Sequence, residues 1–344
     1  SLGSRGLGDV YKRQYLNSAF QVNDENPVLL DRFLDIAVEF DVEAISDGKE
    51  IVICGILQHI EQAGVHSGDS ACSIPPYDSS PKAIKKIKTE VNKVISNMES
   101  IGLVNVQLAY VNDQVYLLEV NPRASRTIPF VSKALGIPLA RIAAKIMAGK
   151  KLKELGFDKV PELKRYCVKE AVLPFNKFQN VDPILGPEMR STGEVMGIGS
   201  SFAEAFEKAE IAAGVEIPKN GSVFISVRDT DKQFLSEIVT SLNEEGFELI
   251  ATKGTASVIK EMGFKVKPIK KVLEGRPNII DLMKNNDVNL VINTTEGRES
   301  IQDSSSIRRT ALDEKICCTT TIQGAKAICE VLSKKVDWLS LIHI

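Results

Sequence analysis

Residues 106–121 predict a β-hairpin, because two apolar, β-prone runs flank a turn-forming Asn-Asp pair. Glu119 and Asn121 lie two residues apart on the second run, so their side chains share a face of the sheet. If the loop has three residues and ends at Gln114, Gln107 pairs with Glu119 and joins that face. A two-residue loop would place Gln107 on the opposite face. The polar surface of the hairpin therefore depends on one residue of register.

This surface would carry one carboxylate and two amide groups, from Glu119, Gln107 and Asn121. Such oxygen ligands suit a Mg²⁺ ion that bridges to phosphates. Arg123 and Arg126 follow just beyond the strand, and two guanidinium groups suit an anion that must be held and neutralised. From the residues alone, this site and an ordinary hairpin with a solvated polar tip are about equally supported, because short motifs match by chance.

The stretch Glu119-Val-Asn-Pro-Arg123, together with Gln107 and the distant residues 61–70, resembles the ATP-grasp fold. In detail these residues resemble the second, carbamate-phosphorylating half of the carbamoyl phosphate synthase large subunit. The resemblance runs from about Tyr15 to about Leu332, so it covers nearly the whole chain. It implies a carboxyl-terminal fragment of that subunit, in which part of an ATP-grasp domain precedes a regulatory domain that resembles methylglyoxal synthase.

The composition is that of a globular protein with several cores. The chain has 344 residues, 43% hydrophobic and 26% charged, with a formal net charge of −2, which is enough for two or three buried cores. The charge balance argues against nucleic-acid binding, and no apolar run reaches the length of a membrane span. None of the six cysteines forms a Cys-x-x-Cys pair, so reduced, mostly buried thiols in a cytoplasmic protein are predicted.

The chain divides into five segments. Residues 1–14 and 339–344 lie outside the family resemblance and are interpreted as non-native read-through. Residues 1–14 also lack the apolar centre of a signal peptide. Between them, residues 15–150 are predicted to form the carboxyl-terminal part of the ATP-grasp domain. Residues 151–215 are predicted to form a connector, and residues 216–338 the methylglyoxal-synthase-like domain.

The predicted fold class is multi-domain α/β: a partial ATP-grasp domain of α+β type with an antiparallel sheet, followed by a parallel α/β domain. In the first part, strands are predicted at 37–45, 51–57 and 168–173, and helices at 81–98, 129–147 and 201–213. Ser201 would cap the last of these helices, with Glu204 reaching back. From residue 221 strands alternate with helices, and the strands are predicted at 223–227, 248–251, 265–268, 290–293 and 316–318.

The resemblance implies roles for individual residues of the first domain. The residues around ATP would be Arg32, Leu34, Glu39, Gly64, Val65, His66, Ser67, Gln107 and Glu119. Gln107, Glu119 and Asn121 would hold Mg²⁺ or Mn²⁺, with K⁺ as a further cation. Arg123 and Arg126 would hold the carbamate or the transferring phosphoryl group. Without the resemblance, Glu39 would be an exposed acid on an alternating strand and His66 a surface loop histidine.

A second set of residues is implied in regulation. Glu61, Asp69 and Glu170 would bind the amino groups of ornithine, although a solvated acidic rim fits the same residues, and Thr320 would take part in the ornithine response. UMP or IMP would be bound by Ser226, Lys232, Thr252, Thr255, Lys271, Asn293 and Thr295. The residues themselves place Thr252 where a helix opens after a strand, and backbone N–H groups there favour phosphate. A helix that Thr255 caps, with no ligand, is the competing interpretation.

The implied activity is ATP- and Mg²⁺-dependent phosphorylation of carbamate, within the glutamine-hydrolysing enzyme of pyrimidine and arginine biosynthesis. The implied partners are ATP, carbamate, the effectors and the glutaminase small subunit; a homo-oligomer is allowed, and no nucleic acid or membrane is expected. The chain by itself is expected to be inactive, because the lid and the subdomain before Tyr15 are missing from it. Two other hypotheses stay open: a module that binds nucleotide monophosphates without catalysis, and another ATP-grasp carboxylate–amine ligase. A true methylglyoxal synthase is disfavoured, because the module has no histidine before the foreign tail.

Overall fold

The structure is a computed structural model that describes residue 34 and residues 36–178, 181–295 and 298–334. Internal contacts divide the chain into residues 1–35 and residues 36–344. Everything described below lies in the second unit, apart from Leu34, whose side chain is half-buried. None of the helices in the described part is long and apolar enough to span a membrane.

The first half of the second unit is built on an antiparallel sheet of seven strands, in the order β5-β4-β1-β2-β3-β6-β7. In chain order its elements are β1 (Val38–Asp47), β2 (Ile51–His59), β3 (Cys72–Ile74), α1 (Pro81–Met98), β4 (Ile101–Val111), β5 (Gln114–Asn121), α2 (Ile128–Leu135), α3 (Leu139–Met147), β6 (Tyr166–Val172), β7 (Gly193–Gly199) and α4 (Phe202–Ala213). The strands predicted at 37–45 and 51–57 are confirmed as β1 and β2, which pair as an antiparallel hairpin. Residues 151–215, predicted as a connector, supply β6 and β7, so the sheet continues past residue 150.

Helix α1 forms where the sequence predicts it and covers one face of this sheet. Ser80 caps it by accepting a hydrogen bond from the Ala83 N–H at 3.2 Å, and Pro81 occupies the first turn, where its missing N–H is not needed. Ile87, Val91 and Ile95 form the buried stripe and pack in one core cluster with the side chains of β1 and β4. The periodicity of the apolar residues therefore fixes which face of the helix meets the sheet.

The helical stretch predicted for residues 129–147 is confirmed, but it consists of two helices, α2 and α3. Gly136 ends α2 in the left-handed conformation, with φ of 68°, and Pro138 precedes α3. Glycine adopts that conformation without strain, and proline cannot continue a helix. Both helices pack on the other face of the sheet, where Val131 and Leu139 are fully buried.

Helix α4 lies unusually close to β7. A Cβ atom on Gly197 would stand 1.9 Å from the Ala205 carbonyl oxygen, so only glycine allows this contact. The predicted cap is confirmed, because the Ser201 hydroxyl accepts from the Glu204 N–H at 3.3 Å. The Glu204 carboxylate, however, reaches back to the N–H of Ser200 at 2.7 Å instead of to Ser201.

The second half contains a parallel sheet of five strands, in the order β10-β9-β8-β11-β12. Its elements are β8 (Ser222–Ser226), α5 (Leu235–Glu244), β9 (Glu248–Thr252), α6 (Lys253–Glu261), β10 (Lys267–Ile269), α7 (Ile279–Lys284), β11 (Leu290–Asn293), α8 (Arg298–Asp313), β12 (Cys317–Thr319) and α9 (Ile322–Ser333). The five predicted strands are confirmed to within two residues. The winding direction reverses between β8 and β11, and in such sheets ligands bind at the carboxyl ends of the strands near the reversal.

Candidate functional site

The hairpin that the sequence predicts is formed by β4 and β5, but its loop is shorter than expected. Val111 pairs with Gln114, so the loop has two residues, not three. Asn112 and Asp113 have φ of 50° and 61°, the left-handed geometry that a tight two-residue hairpin turn requires. The three-residue loop of the sequence analysis is therefore wrong, and a regular ladder from this turn would separate Gln107 from Glu119.

A β-bulge restores the pairing that the short loop would have lost. Leu108 pairs with Leu117, whereas its neighbour Gln107 pairs with Glu119, so Leu118 is an extra residue on β5. The extra residue shifts the register by one and returns Glu119 to the face of Gln107. The predicted pairing is confirmed, although it arises from a bulge.

The paired residues line a cleft of about 480 Å³ at the end of the hairpin. The cleft brings together the predicted residues His66, Ser67, Gln107, Glu119, Asn121, Arg123 and Arg126. Residues that the sequence analysis did not single out complete the lining: Asp41, Gly68, Asn105, Ser125, Thr127, Lys169, Met189, Ser191, Thr192, Gly193 and Glu194. Segments far apart in the chain therefore converge on one polar cavity.

The oxygen atoms on the hairpin face fit a hard divalent cation that phosphates also coordinate. The Glu119 side chain is exposed, and its carboxylate has no hydrogen-bond or ion-pair partner in the described part of the chain. The Gln107 amide nitrogen donates to the Ser67 hydroxyl at 3.2 Å, which leaves the amide oxygen available. The described residues contain no cluster of three His, Cys, Asp or Glu side chains that could hold a metal. This donor set suits Mg²⁺, which is usually held by one or two carboxylates together with substrate phosphates and water.

Arg123 and Arg126 are exposed at the same end of the cleft. The Arg123 guanidinium donates to the Ala124 carbonyl at 3.3 Å, and that of Arg126 contacts the Met189 sulfur. Within the described ranges neither arginine forms an ion pair with a carboxylate. Two positive charges without local neutralisation favour an anion between or beside them.

The loop that carries His66 is hydrogen-bonded to Glu39 of β1. Gly64, with φ of 98°, donates its N–H to the Glu39 carboxylate at 3.2 Å. Glu39 is buried, contrary to the exposed acid that the strand pattern alone favours, and burial raises its pKa, although His59 opposes the shift. Val65 in the same loop is buried. Arg32, the remaining residue predicted near the nucleotide, lies outside the described residues.

Lys169 of β6 also stabilises this loop, through hydrogen bonds to two of its carbonyl oxygens. Its side chain is fully buried, and its ammonium group donates to the carbonyl oxygens of Ser67 at 3.0 Å and Gly68 at 3.4 Å. The sequence offered one signal for it, a lysine inside an apolar strand, because a buried ammonium group requires partners. Lys169 therefore orders the backbone that lines the cleft.

A buried pair of ionisable residues lies beneath the cleft. His59 Nε2 and Asp41 Oδ2 are 3.0 Å apart. Burial would lower the pKa of His59, but the hydrogen bond and charge of Asp41 raise it overall. Burial alone would raise the pKa of Asp41, but the hydrogen bond and charge of His59 lower it overall. Each residue of the pair therefore favours the charged form of the other.

The three acids predicted to bind ornithine separate into two groups. Asp69 accepts hydrogen bonds from the N–H groups of Arg190 at 2.7 Å and Ser191 at 2.9 Å, so it anchors the segment that forms one wall of the cleft. Glu61 and Glu170 instead interact with Glu210 on α4, which the sequence analysis missed. Burial raises the pKa of all three acids; repulsion by Glu210 and Glu61 adds to the shift of Glu170, and repulsion by Glu61 adds to that of Glu210.

The predicted nucleotide-effector residues gather at the carboxyl ends of the parallel strands. The hydroxyls of Thr252 and Ser226 are 3.3 Å apart, and the Thr255 hydroxyl accepts from the Val227 N–H at 3.3 Å. Helix α6 begins after Thr252, whose side chain makes no capping bond. The interpretation of Thr255 as a cap is therefore wrong, and among the described residues no side chain accepts from the N–H groups at the start of α6.

The other predicted effector residues surround this strand end. Lys232 forms an ion pair with Asp229 at 2.7 Å, and its nitrogen lies 3.8 Å from the Cβ position of Gly254 in the first turn of α6. Asn293, the last residue of β11, is buried. Thr295 and Thr320 line a small cavity of about 20 Å³. Lys271 is exposed just after β10.

Comparison with known proteins relates both halves to one enzyme family. Residues 3–155 match the family described as carbamoyl-phosphate synthase L chain, ATP binding domain, and residues 235–320 match the MGS-like domain. The carbamoyl phosphate synthase large chain of Pseudomonas putida is 56% identical over 96% of this chain. The chain belongs to the carbamoyl phosphate synthase large-chain family. Large chains of Pseudomonas aeruginosa and Vibrio vulnificus are 54% and 52% identical over 96% and 95% of this chain.

These large chains are longer than the chain described here, which spans 31% of the length of each of them. Among solved structures, the biotin carboxylase subunit of pyruvate carboxylase matches with a TM-score of 0.41 and 15% identity, over 53% of this chain and 46% of that one, too weak a likeness to be used further. The first family match includes residues 3–14, and the assignment of residues 1–14 as read-through stays a prediction.

Proposed function

We propose that the cleft at the β4–β5 hairpin is the part of a carbamoyl phosphate synthase that phosphorylates carbamate from ATP. The observation that carries this proposal is the bulge, which places the Glu119 carboxylate opposite Gln107 at one end of a polar cleft. Gln107, Glu119 and Asn121 would hold Mg²⁺, which when bound would neutralise charge on the β- and γ-phosphates. Mn²⁺ is proposed as an alternative ion and K⁺ as a further cation.

The residues of this chain would act by positioning and charge. Phosphoryl transfer needs an aligned acceptor and neutralisation of developing charge more than it needs a protein nucleophile. Arg123 and Arg126 would hold the carbamate oxygens or the transferring phosphoryl group at the open end of the cleft. His66, Ser67 and the backbone that Lys169 orders would line the nucleotide side. Arg32, Leu34, Glu39, Gly64 and Val65 stay predicted members of that side.

Regulation by a nucleotide monophosphate is proposed for the parallel domain. The uncapped start of α6, next to Lys232 and the hydroxyls of Ser226 and Thr252, supports a phosphate there. Lys271, Asn293 and Thr295 would contact the rest of UMP or IMP, and Thr320 would respond to ornithine. Glu61 and Glu170, joined by Glu210, would bind the ornithine ammonium groups, because a cation relieves the repulsion of buried carboxylates. Asp69 would contribute through the segment it anchors.

The relatives' full activity would require more than this chain. Ammonia from glutamine, delivered with a glutaminase small subunit, and assembly into oligomers are proposals that follow from family membership. Calorimetry of the chain with UMP, IMP and Mg-ATP separates the main proposal from its alternative. Binding of Mg-ATP that requires Glu119 supports the phosphorylation site. Binding of UMP or IMP without any binding of Mg-ATP would leave a regulatory module alone and would contradict the proposal.

A further inference from the structure

Glu43, on β1, is a fully buried acid beneath the arginine end of the cleft. Its Oε1 atom accepts a hydrogen bond from the Asn105 amide at 2.8 Å and from the hydroxyls of Ser125 and Thr127. Its Oε2 atom is buried and has no hydrogen-bond partner in the described part of the chain. Three donors converge on one oxygen atom, so the carboxyl group ties the sheet to the segment that follows the hairpin.

The segment that Glu43 holds carries Arg126 between its two contact residues. The Ser125 and Thr127 hydroxyls are 2.8 Å apart, and the Thr127 N–H donates to the Ser125 hydroxyl at 3.2 Å. The Arg126 side chain has one recorded contact, with Met189. Its direction therefore depends on the backbone turn, and Glu43 is the group of the sheet that fixes both sides of that turn.

We propose that Glu43 is a positioning residue for Arg126, and that it keeps the anion-binding end of the cleft in shape without touching the ligand. This inference rests on the proposed function, because it assigns a support to the arginine that would hold the acceptor. Keeping an acid here has a cost. A buried carboxyl oxygen without a partner is unfavourable, and burial, opposed by the hydroxyls of Ser125 and Thr127, raises the pKa of Glu43 to about 7.

The test measures binding of inorganic phosphate and of Mg-ATP to the 344-residue chain by calorimetry. Glu43→Ala removes the shared acceptor, and we expect phosphate binding to weaken about tenfold, which corresponds to about one lost hydrogen bond to a charged group. Glu43→Gln keeps an acceptor oxygen and should restore affinity to within about threefold of the unmodified chain. A role limited to filling space would give the same order, because Gln fills the volume of Glu. Glu43→Met fills that volume without an acceptor oxygen, so it should bind phosphate as weakly as Glu43→Ala, and binding as tight as that of Glu43→Gln would show a space-filling role and overturn the proposal.

Glu207 offers a matched control, because it too is a buried acid with one oxygen that has no hydrogen-bond partner among the described residues. It lies on α4 and pairs with Lys219, outside the cleft lining. Glu207→Ala should leave phosphate affinity unchanged. If Glu43→Ala does not fold, as judged by circular dichroism, the combined variant Ser125→Ala, Thr127→Val removes two of the three hydrogen bonds from the other side and should also weaken phosphate binding.

The outcomes separate this inference from the proposed function. If the unmodified chain binds neither Mg-ATP nor phosphate, the proposed function fails and the role of Glu43 fails with it. If the unmodified chain binds both and a folded Glu43→Ala binds phosphate equally well, the proposed function stands and the role of Glu43 is overturned. Unchanged affinity in the Ser125→Ala, Thr127→Val variant would overturn it in the same way.

Discussion

Replacing Asp182 by alanine should destabilise the chain strongly, because it would leave a buried arginine without its counter-charge. Arg308, on α8, is among the largest fully buried side chains. Its Nε atom donates to Asp182 Oδ1 at 2.7 Å, and its Nη2 atom to Asp182 Oδ2. This bidentate pair joins the parallel domain to the segment that leads into the wall of the cleft.

The expected loss of stability depends on which partners Arg308 would keep after Asp182 is replaced. Removing one partner of a buried ion pair costs roughly 3–5 kcal/mol, since the other charge stays desolvated. After Asp182→Ala, Arg308 would keep the Ile301 carbonyl at 2.6 Å and the Asn293 amide oxygen at 3.4 Å. The Asp182 side chain is 24% exposed, so water can partly replace it. We therefore expect a loss near the lower limit, about 3 kcal/mol.

The neighbouring arginine supplies a control in the same helix. Arg309 pairs with Asp313 at 2.9 Å, and the Asp313 side chain is 53% exposed. Asp313→Ala should lower stability by less than about 1 kcal/mol, as for other surface pairs. Urea unfolding followed by circular dichroism measures both variants. Equal losses for Asp182→Ala and Asp313→Ala, or a loss below about 1 kcal/mol for Asp182→Ala, would refute the reasoning.

Three further predictions follow from buried polar groups. Because the pKa of Glu43 is raised to about 7, the folded chain holds the proton of this carboxyl group more tightly than the unfolded chain, and the resulting stabilisation is fully present below about pH 4.5 and lost as pH rises through 7. The free energy of unfolding of the unmodified chain should therefore fall by about 2 kcal/mol relative to that of Glu43→Gln between pH 5.5 and pH 8. Parallel pH profiles of stability would contradict this. Lys169→Met should weaken Mg-ATP binding about tenfold, because the loop carbonyls lose their donor. Lys159→Met, at an exposed position, should leave the affinity unchanged. Equal affinities of the two variants in calorimetry would show that Lys169 does not support the site. Burial raises the pKa of the Cys54 and Cys72 thiols to about 12, so a thiol reagent at pH 8 should react with them slowly in the folded chain and rapidly in urea. Fast reaction of both in the folded state would contradict their burial.

Much of the fold could be predicted from the sequence because apolar residues recur with a clear period. The stripe of Ile87, Val91 and Ile95 fixes α1, and strand–helix alternation after residue 221 fixes the parallel sheet. The break between α2 and α3 was missed although Gly136 marked it, because apolar periodicity continues on both sides. Strand β3 has three residues and β7 begins and ends with glycine, so neither gives a strong strand pattern.

The candidate site was predicted where its chemistry is local and missed where it depends on distant partners. Glu119, Asn121 and Arg123 lie within five residues, and their spacing alone suggests a metal and an anion. The bulge at Leu118 gives no sequence signal, because the register also depends on how β4 pairs with β1. Lys169 contacts a loop about one hundred residues earlier, and no pattern near Lys169 indicates that partner.

The assignment of Glu119 to a divalent cation is the central claim, and Mg²⁺-dependent nucleotide binding tests it most directly. Calorimetry would compare ATP binding with Mg²⁺ and with a chelator, in the unmodified chain, in Glu119→Gln and in the exposed helix variant Glu90→Gln. The account predicts that Mg²⁺ strengthens ATP binding in the unmodified chain and in Glu90→Gln, and that Glu119→Gln loses at least about tenfold of that gain, as expected for a lost carboxylate ligand. Glu119→Gln that binds Mg-ATP as tightly as the unmodified chain would contradict the account.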